Sequence, residues 1–110
     1  MAGKSITDQK TEIATATIPK PEFPAEWNVF ILNDDVTPMT FVTRLLQGVF
    51  RLDYATAHQI MLAAHTTGRA HCGKYMKAVA EAKQAQCRVA AAEAGYPLKV
   101  IIEREGGQNG

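Results

Sequence analysis

Asn33, Asp34 and Asp35 put three acceptor-bearing side chains in a row. Apolar Ile31 and Leu32 precede them, and Val36-Thr37-Pro38-Met39 follows. Carboxylates held close to an apolar wall suit a ligand with a positive end and a greasy body. Asn and Asp also form turns by bonding to nearby backbone, so a purely structural turn is the first explanation of them. His65 is the candidate partner. If its helix packs beside the turn, Met61 and Ala64 line an apolar floor, and Met39 and Val42 line the opposite side. On pattern alone His65 reads first as a satisfied histidine on a helix edge, and the two methionines as ordinary core filling.

Other residues could support different chemistry. His58 and His65 lie seven apart, nearly on one helical face, and His71 and Cys72 follow. No HExxH, CxxC or other closely paired ligand spacing supports a metal centre. Cys72 beside His71 is sequence adjacency, whereas a catalytic pair needs an orienting third group and an oxyanion site. Cys72 therefore reads as a small buried hydrophobe. Lys83 interrupts an apolar stripe, either snorkelling or marking a protein-docking edge. A small metal- or thiol-dependent hydrolase and a stalk-like structural module stand as alternatives to a binding protein.

The elements that must position these residues follow from periodicity. Trp27 to Leu32 reads as a strand, apolar on both faces near its end and so central and covered. Thr37 is a good N-cap and Pro38 suits the first helical position. A helix to Phe50 follows, with Met39, Val42, Leu45, Leu46 and Val49 at three- and four-residue spacing. Gly48 interrupts it and suggests close approach by another element. Asp53 caps a second helix, Tyr54 to Thr67, which Gly68 stops. Arg69 to Lys74 is a short strand or extended link. A third helix, from Tyr75 or Met76 to Ala94, carries the stripe Met76, Val79, Ala80, Lys83, Cys87, Ala90, Ala91 and Ala94. Leu98 to Glu103 alternates as a half-exposed strand. The order is β-α-α-β-α-β. It implies an α+β fold, a small three-stranded antiparallel sheet with three helices packed on it.

Bulk properties narrow the function. The chain has 110 residues, 46% hydrophobic and 21% charged, with net charge +1. A single domain of this size buries about two thirds of its unfolded surface, so a shallow pocket is easier to build than a deep one. No basic stripe marks a nucleic-acid partner. No apolar run approaches the roughly 20 residues of a membrane helix. The two cysteines, Cys72 and Cys87, fit free thiols in a reducing cytoplasm. Residues 1–26 are polar and end in a Pro-rich run, expected as a disordered extension. Residues 27–105 form the domain, and 106–110 a frayed tail.

Three blocks then resemble the ClpS family, the bacterial N-degron adaptors of the Clp protease. The first is Val29-Phe-Ile-Leu-Asn-Asp-Asp-Val-Thr-Pro-Met-Thr-Phe-Val42; the others are Ala57-His-Gln-Ile-Met-Leu-Ala-Ala-His65 and Gly68-Arg-Ala-His-Cys-Gly73. Val79-Ala-Glu-Ala-Lys83 and Tyr96-Pro97-Leu98 extend the likeness. It implies an adaptor rather than an enzyme, with a fold similar to the C-terminal domain of the ribosomal stalk protein. Such adaptors bind proteins whose N-terminal residue is Leu, Phe, Tyr or Trp and hand them to a ClpA-like AAA+ unfoldase. By motif position, Asn33, Asp34 and His65 hold the α-amino group. Ile31, Leu32, Thr37, Met39, Val42, Met61, Ala64 and Leu98 form the side-chain pocket. Glu81 and Lys83 match the unfoldase-docking positions, and the N-terminal extension takes part in delivery. The resemblance implies a cytoplasmic monomer without cofactor. Val36 departs from an aromatic common in relatives, Ala64 from a valine and Ala78 from an acidic residue.

Overall fold

The computed structural model describes residues 25–106. The expected extension and tail therefore lie outside the described residues, except for Ala25, Glu26 and Gly106. The elements are β1 (Glu26–Leu32), α1 (Met39–Phe50), α2 (Tyr54–Thr67), β2 (Arg69–Met76), α3 (Lys77–Ala94) and β3 (Lys99–Arg104). The sheet order is β2-β1-β3, with both neighbours antiparallel to β1. This is the α+β arrangement expected from the sequence.

β1 is the central strand, but only one of its faces is covered. Trp27, Val29 and Ile31 are buried, while Asn28, Phe30 and Leu32 are half-buried. The helices pack on the buried side, where Leu46, Ala57, Ala80 and Cys87 join the core. The open side tolerates Phe30 because the Arg69 guanidinium lies 4.0 Å from its ring centroid. Arg69 also pairs with Glu103 at 2.9 Å, and the His71 ring meets Phe30 edge-on. A cation over an aromatic face shields it without a helix.

β2 runs two residues further than the sequence suggests, because Tyr75 and Met76 pair with Trp27 and Glu26. Gly73 does not break it. Val29 stands opposite Gly73 and Phe30 opposite His71, so Cys72 is the extra residue of a β-bulge. The Tyr75 ring lies over Gly73, and a Cβ there would come within 2.7 Å of it. α3 consequently starts at Lys77, not at Tyr75 or Met76, and only Ala80, Cys87 and Ala91 of its expected stripe are fully buried. Met76 and Val79 are exposed. Gly48 faces open space, so it admits no neighbouring element.

α2 follows its signals closely. The Asp53 carboxylate accepts the Thr56 N–H at 2.8 Å, and Gly68 turns left-handed with φ 99° while its N–H caps Ala64. Only glycine reaches that conformation without strain. α1 begins differently from expectation. Pro38, extended at ψ 144°, is the N-cap residue, and Thr37 lies outside the helix.

Candidate functional site

The displaced cap reflects what Thr37 does instead. Its hydroxyl donates to Asp34 Oδ2 at 2.8 Å, and its N–H donates to Asp34 Oδ1 at 2.7 Å. The Val36 N–H also donates to Oδ1, at 2.8 Å. One carboxylate thus ties down the whole turn between β1 and α1. Burial works to raise the Asp34 pKa, but the bonds from Thr37 and Val36 prevail and hold it below the usual aspartate range. A carboxylate has about four lone-pair sites; three are occupied, which leaves one on Oδ2 for a ligand. Asp35 accepts no hydrogen bond among the described residues and is exposed.

A second tie fixes the turn against α2. The Asn33 N–H donates to the Gly68 carbonyl at 2.9 Å. The left-handed turn at Gly68 therefore ends α2 and also presents an acceptor to β1. This places the last turns of α2, with Met61, Ala64 and His65, beside the acidic turn.

Between them lies a cavity of about 270 Å³. Its floor is apolar: Ile31 is 1% exposed, Ala64 4%, Met61 5%, Val42 8% and Leu98 8%. Leu32, Thr37 and Met39 complete the wall, and Asn33, Asp34 and His65 stand at the polar side. All eleven residues anticipated for the amino-group contacts and the side-chain pocket line this one cavity. Asp35, Val36 and Pro38 line it too. Their place at the rim follows from the turn that Asp34 imposes, which spacing alone does not reveal. Val36 and Met39 remain 63% and 43% exposed, so the mouth is open. The cavity is at the small end of ligand sites and suits a single residue rather than a drug-sized molecule.

The acid behaviour of the turn has a definite sign. A carboxylate with a depressed pKa contributes stability above its ordinary value and loses it as pH falls through the folded value. Asp34→Ala is expected to lower stability by about 1 kcal/mol at neutral pH, as for loss of a cap. The gap in melting temperature from the parent should narrow as the pH drops from 5 towards 3. A constant gap across that range would show that the carboxylate charge is not what holds the turn.

The other candidate residues are scattered. The His58 ring stacks on Tyr54, and His71 meets the Asn28 side-chain oxygen at 2.7 Å on the open face of the sheet. Among the described residues no three His, Cys, Asp or Glu side chains are grouped to hold a metal ion. Cys72 and Cys87 are free and buried. Burial pushes both thiols up to about 12, so neither supplies a thiolate at neutral pH. Glu81 is exposed. Lys83 is half-buried, and its ammonium donates to the Val49 carbonyl at 2.7 Å, joining α3 to the end of α1. Among the described residues no helix is long and apolar enough to cross a membrane.

A one-faced sheet with an acid-rimmed apolar cavity at its corner describes a small α+β domain with a receptor-like surface pocket. The family model for the ATP-dependent Clp protease adaptor protein ClpS matches residues 22–101, and the chain belongs to the ClpS family. It is 41% identical over 105 residues to the ATP-dependent Clp protease adapter protein ClpS of Roseobacter denitrificans, covering 96% of this chain and 93% of that one. The Leptothrix cholodnii ClpS is 44% identical over 95 residues, 86% of this chain and 83% of that one. Among solved structures, Agrobacterium tumefaciens ClpS2 bound to L-phenylalaninamide matches with TM-score 0.74 and 37% identity. That match covers 76% of this chain and all of the other.

Proposed function

We propose that this ClpS-family adaptor recognises proteins by a free N-terminal Leu, Phe, Tyr or Trp and delivers them to a ClpA-like AAA+ unfoldase. The observation that carries this reading is the joining of one apolar cavity to one acceptor-rich rim. L-phenylalaninamide, the ligand of the Agrobacterium relative, has the same two-ended chemistry. An α-amino group with pKa near 8 is mostly cationic at neutral pH. Asn33, the remaining Asp34 lone pair and His65 supply its acceptors. Ile31, Met61, Ala64 and Leu98 take the side chain. Burying a Leu or Phe side chain is worth about 1.5–3 kcal/mol, and each charge-assisted hydrogen bond about 1.5–3 kcal/mol. With backbone contacts the total approaches about 8 kcal/mol, or micromolar affinity.

The direct test is fluorescence polarisation with peptides differing only at residue one. Leu, Phe, Tyr and Trp should bind, whereas Gly, Ser and Glu should not. In the same titration Asp34→Ala is expected to weaken binding more than Asp35→Ala, because Asp34 both touches the ligand and holds the turn. The reverse order would reassign the ammonium contact to Asp35.

Unfoldase docking through Glu81 and Lys83 belongs to the same reading. Their settings differ, so their variants should too. Glu81→Lys is expected to weaken unfoldase binding without moving the melting temperature. Lys83→Met should also cost about 0.5–1.5 kcal/mol of stability, because the Val49 carbonyl loses its donor. Unchanged stability in urea titration would remove the structural half of that role. Delivery, rather than catalysis, is what the chain contributes.

A further inference from the structure

A groove of about 500 Å³ lies between α1 and α2. It shares Met39 and Met61 with the cavity, so the two spaces meet across the exposed Met39 side chain. From there it runs away from the cavity along the helical hairpin. Thr43 and Arg44 line one side and His58 and Tyr54 the other. Tyr54 and His58 stack with ring centroids 5.5 Å apart, giving that side a flat wall. Tyr54 is 60% exposed. Arg44 is exposed and makes no ion pair among the described residues.

We infer that this groove receives the substrate's third and fourth residues and that Arg44 favours acidic side chains there. The inference rests on the proposed reading of the cavity and extends it past residue one. A ligand whose first side chain fills the cavity must leave through the open mouth, and Met39 is its shared edge with the groove. Arg44 lies five residues beyond Met39 on α1, about 7.5 Å along the axis at 1.5 Å per residue. An extended peptide advances about 3.3 Å per residue. Residue two therefore crosses Met39, residues three and four lie about 3.3 and about 6.6 Å further on, and the Arg44 side chain, leaning back towards the N-terminus of α1, reaches both. The groove carries a guanidinium where the cavity rim carries carboxylates, so the sign of the preferred charge changes along the peptide. Residue one presents a cation to the rim, and an acidic side chain two or three residues later meets Arg44.

The test compares two peptides with free N-termini, Phe-Ala-Glu-Glu and Phe-Ala-Lys-Lys, identical beyond those residues. L-phenylalaninamide is the third ligand. Each is titrated against the full chain and its Arg44→Glu variant. Asp34 and Asp35 bias all peptides towards positive charge, but equally in both proteins, so the acidic-to-basic affinity ratio isolates position 44. An exposed charge pair is worth roughly a threefold change, and reversal at two facing residues should lower the ratio at least about tenfold in the variant. The difference should fade at 1 M salt, where screening acts within about 3 Å. L-phenylalaninamide, too short to reach the groove, should bind both proteins equally. A ratio unchanged within twofold, with L-phenylalaninamide still bound, overturns the groove alone. So does an equal loss of all three ligands in the variant. Failure of every Phe-led ligand to bind the parent protein overturns the reading of the cavity, and this inference with it.

Discussion

Acetylating the N-terminus of a Phe-led peptide is expected to lower its affinity at least about a hundredfold. The acetyl group removes the positive charge and two of the three N–H donors. It leaves the side chain free to enter the cavity, so the apolar share of binding survives. In the proposed reading the loss falls on Asn33, Asp34 and His65, which stand at the cavity's polar side. Two charge-assisted bonds at about 1.5–3 kcal/mol each amount to about 3–6 kcal/mol. Every 1.4 kcal/mol is a factor of ten, so a hundredfold loss is the lower end. The amide also adds bulk at the mouth, where Asp34 cannot swing away because the Thr37 and Val36 bonds hold it. Calorimetry or polarisation with the free and acetylated peptides decides the matter. Equal affinities would falsify the ammonium contact and leave a purely apolar pocket.

Leu46→Ala is expected to cost about 2–5 kcal/mol of stability. Leu46 is fully buried at 0% exposure and joins the core beneath the sheet. Truncation forfeits its transfer free energy and leaves a space that a small domain can only partly close. For a domain of this size each 1 kcal/mol moves the melting temperature by about 4–8 °C, so a fall of about 8–40 °C follows. Leu46 does not line the cavity, so peptide affinity measured well below the transition should stay within about threefold. Val36→Ala is the contrasting variant. Val36 is 63% exposed, and exposed substitutions usually stay within about 0.5 kcal/mol. A loss below 1 kcal/mol for Leu46→Ala would mean that the core around α1 refills the space.

Much of the site was legible from residues 31–39 and 57–65. Turn chemistry is local: Asn33-Asp34-Asp35 followed by Thr37-Pro38 can only interrupt a strand and start a helix. Helical period is local too, and it put Met61, Ala64 and His65 on neighbouring positions of one face. The resemblance to ClpS rested on the same stretches, with their combination more specific than either alone. Element order, the α+β class and eleven of the cavity-lining residues were available before any contact was known, Leu98 only through the resemblance; Asp35, Val36 and Pro38 were not among them.

The tertiary structure decided which partner each polar group meets. Thr37 looks like a helix cap in sequence, yet its hydroxyl serves Asp34, and the N-cap position falls to Pro38, which makes no side-chain capping bond. Lys83 reads as a snorkelling or docking lysine, yet its ammonium closes on the Val49 carbonyl 34 residues away. β2 outruns its breaker Gly73 because pairing with Trp27 and Glu26 outweighs local propensity, and the Cys72 bulge absorbs the mismatch. The open face of β1 depends on Arg69 reaching across to Phe30. Periodicity and turn preference act over a few residues and fix what each segment can become. Long-range donors, acceptors and packing surfaces meet only when the segments are assembled, so the engagement of Asp34 and the groove beside Met39 belong to the folded chain.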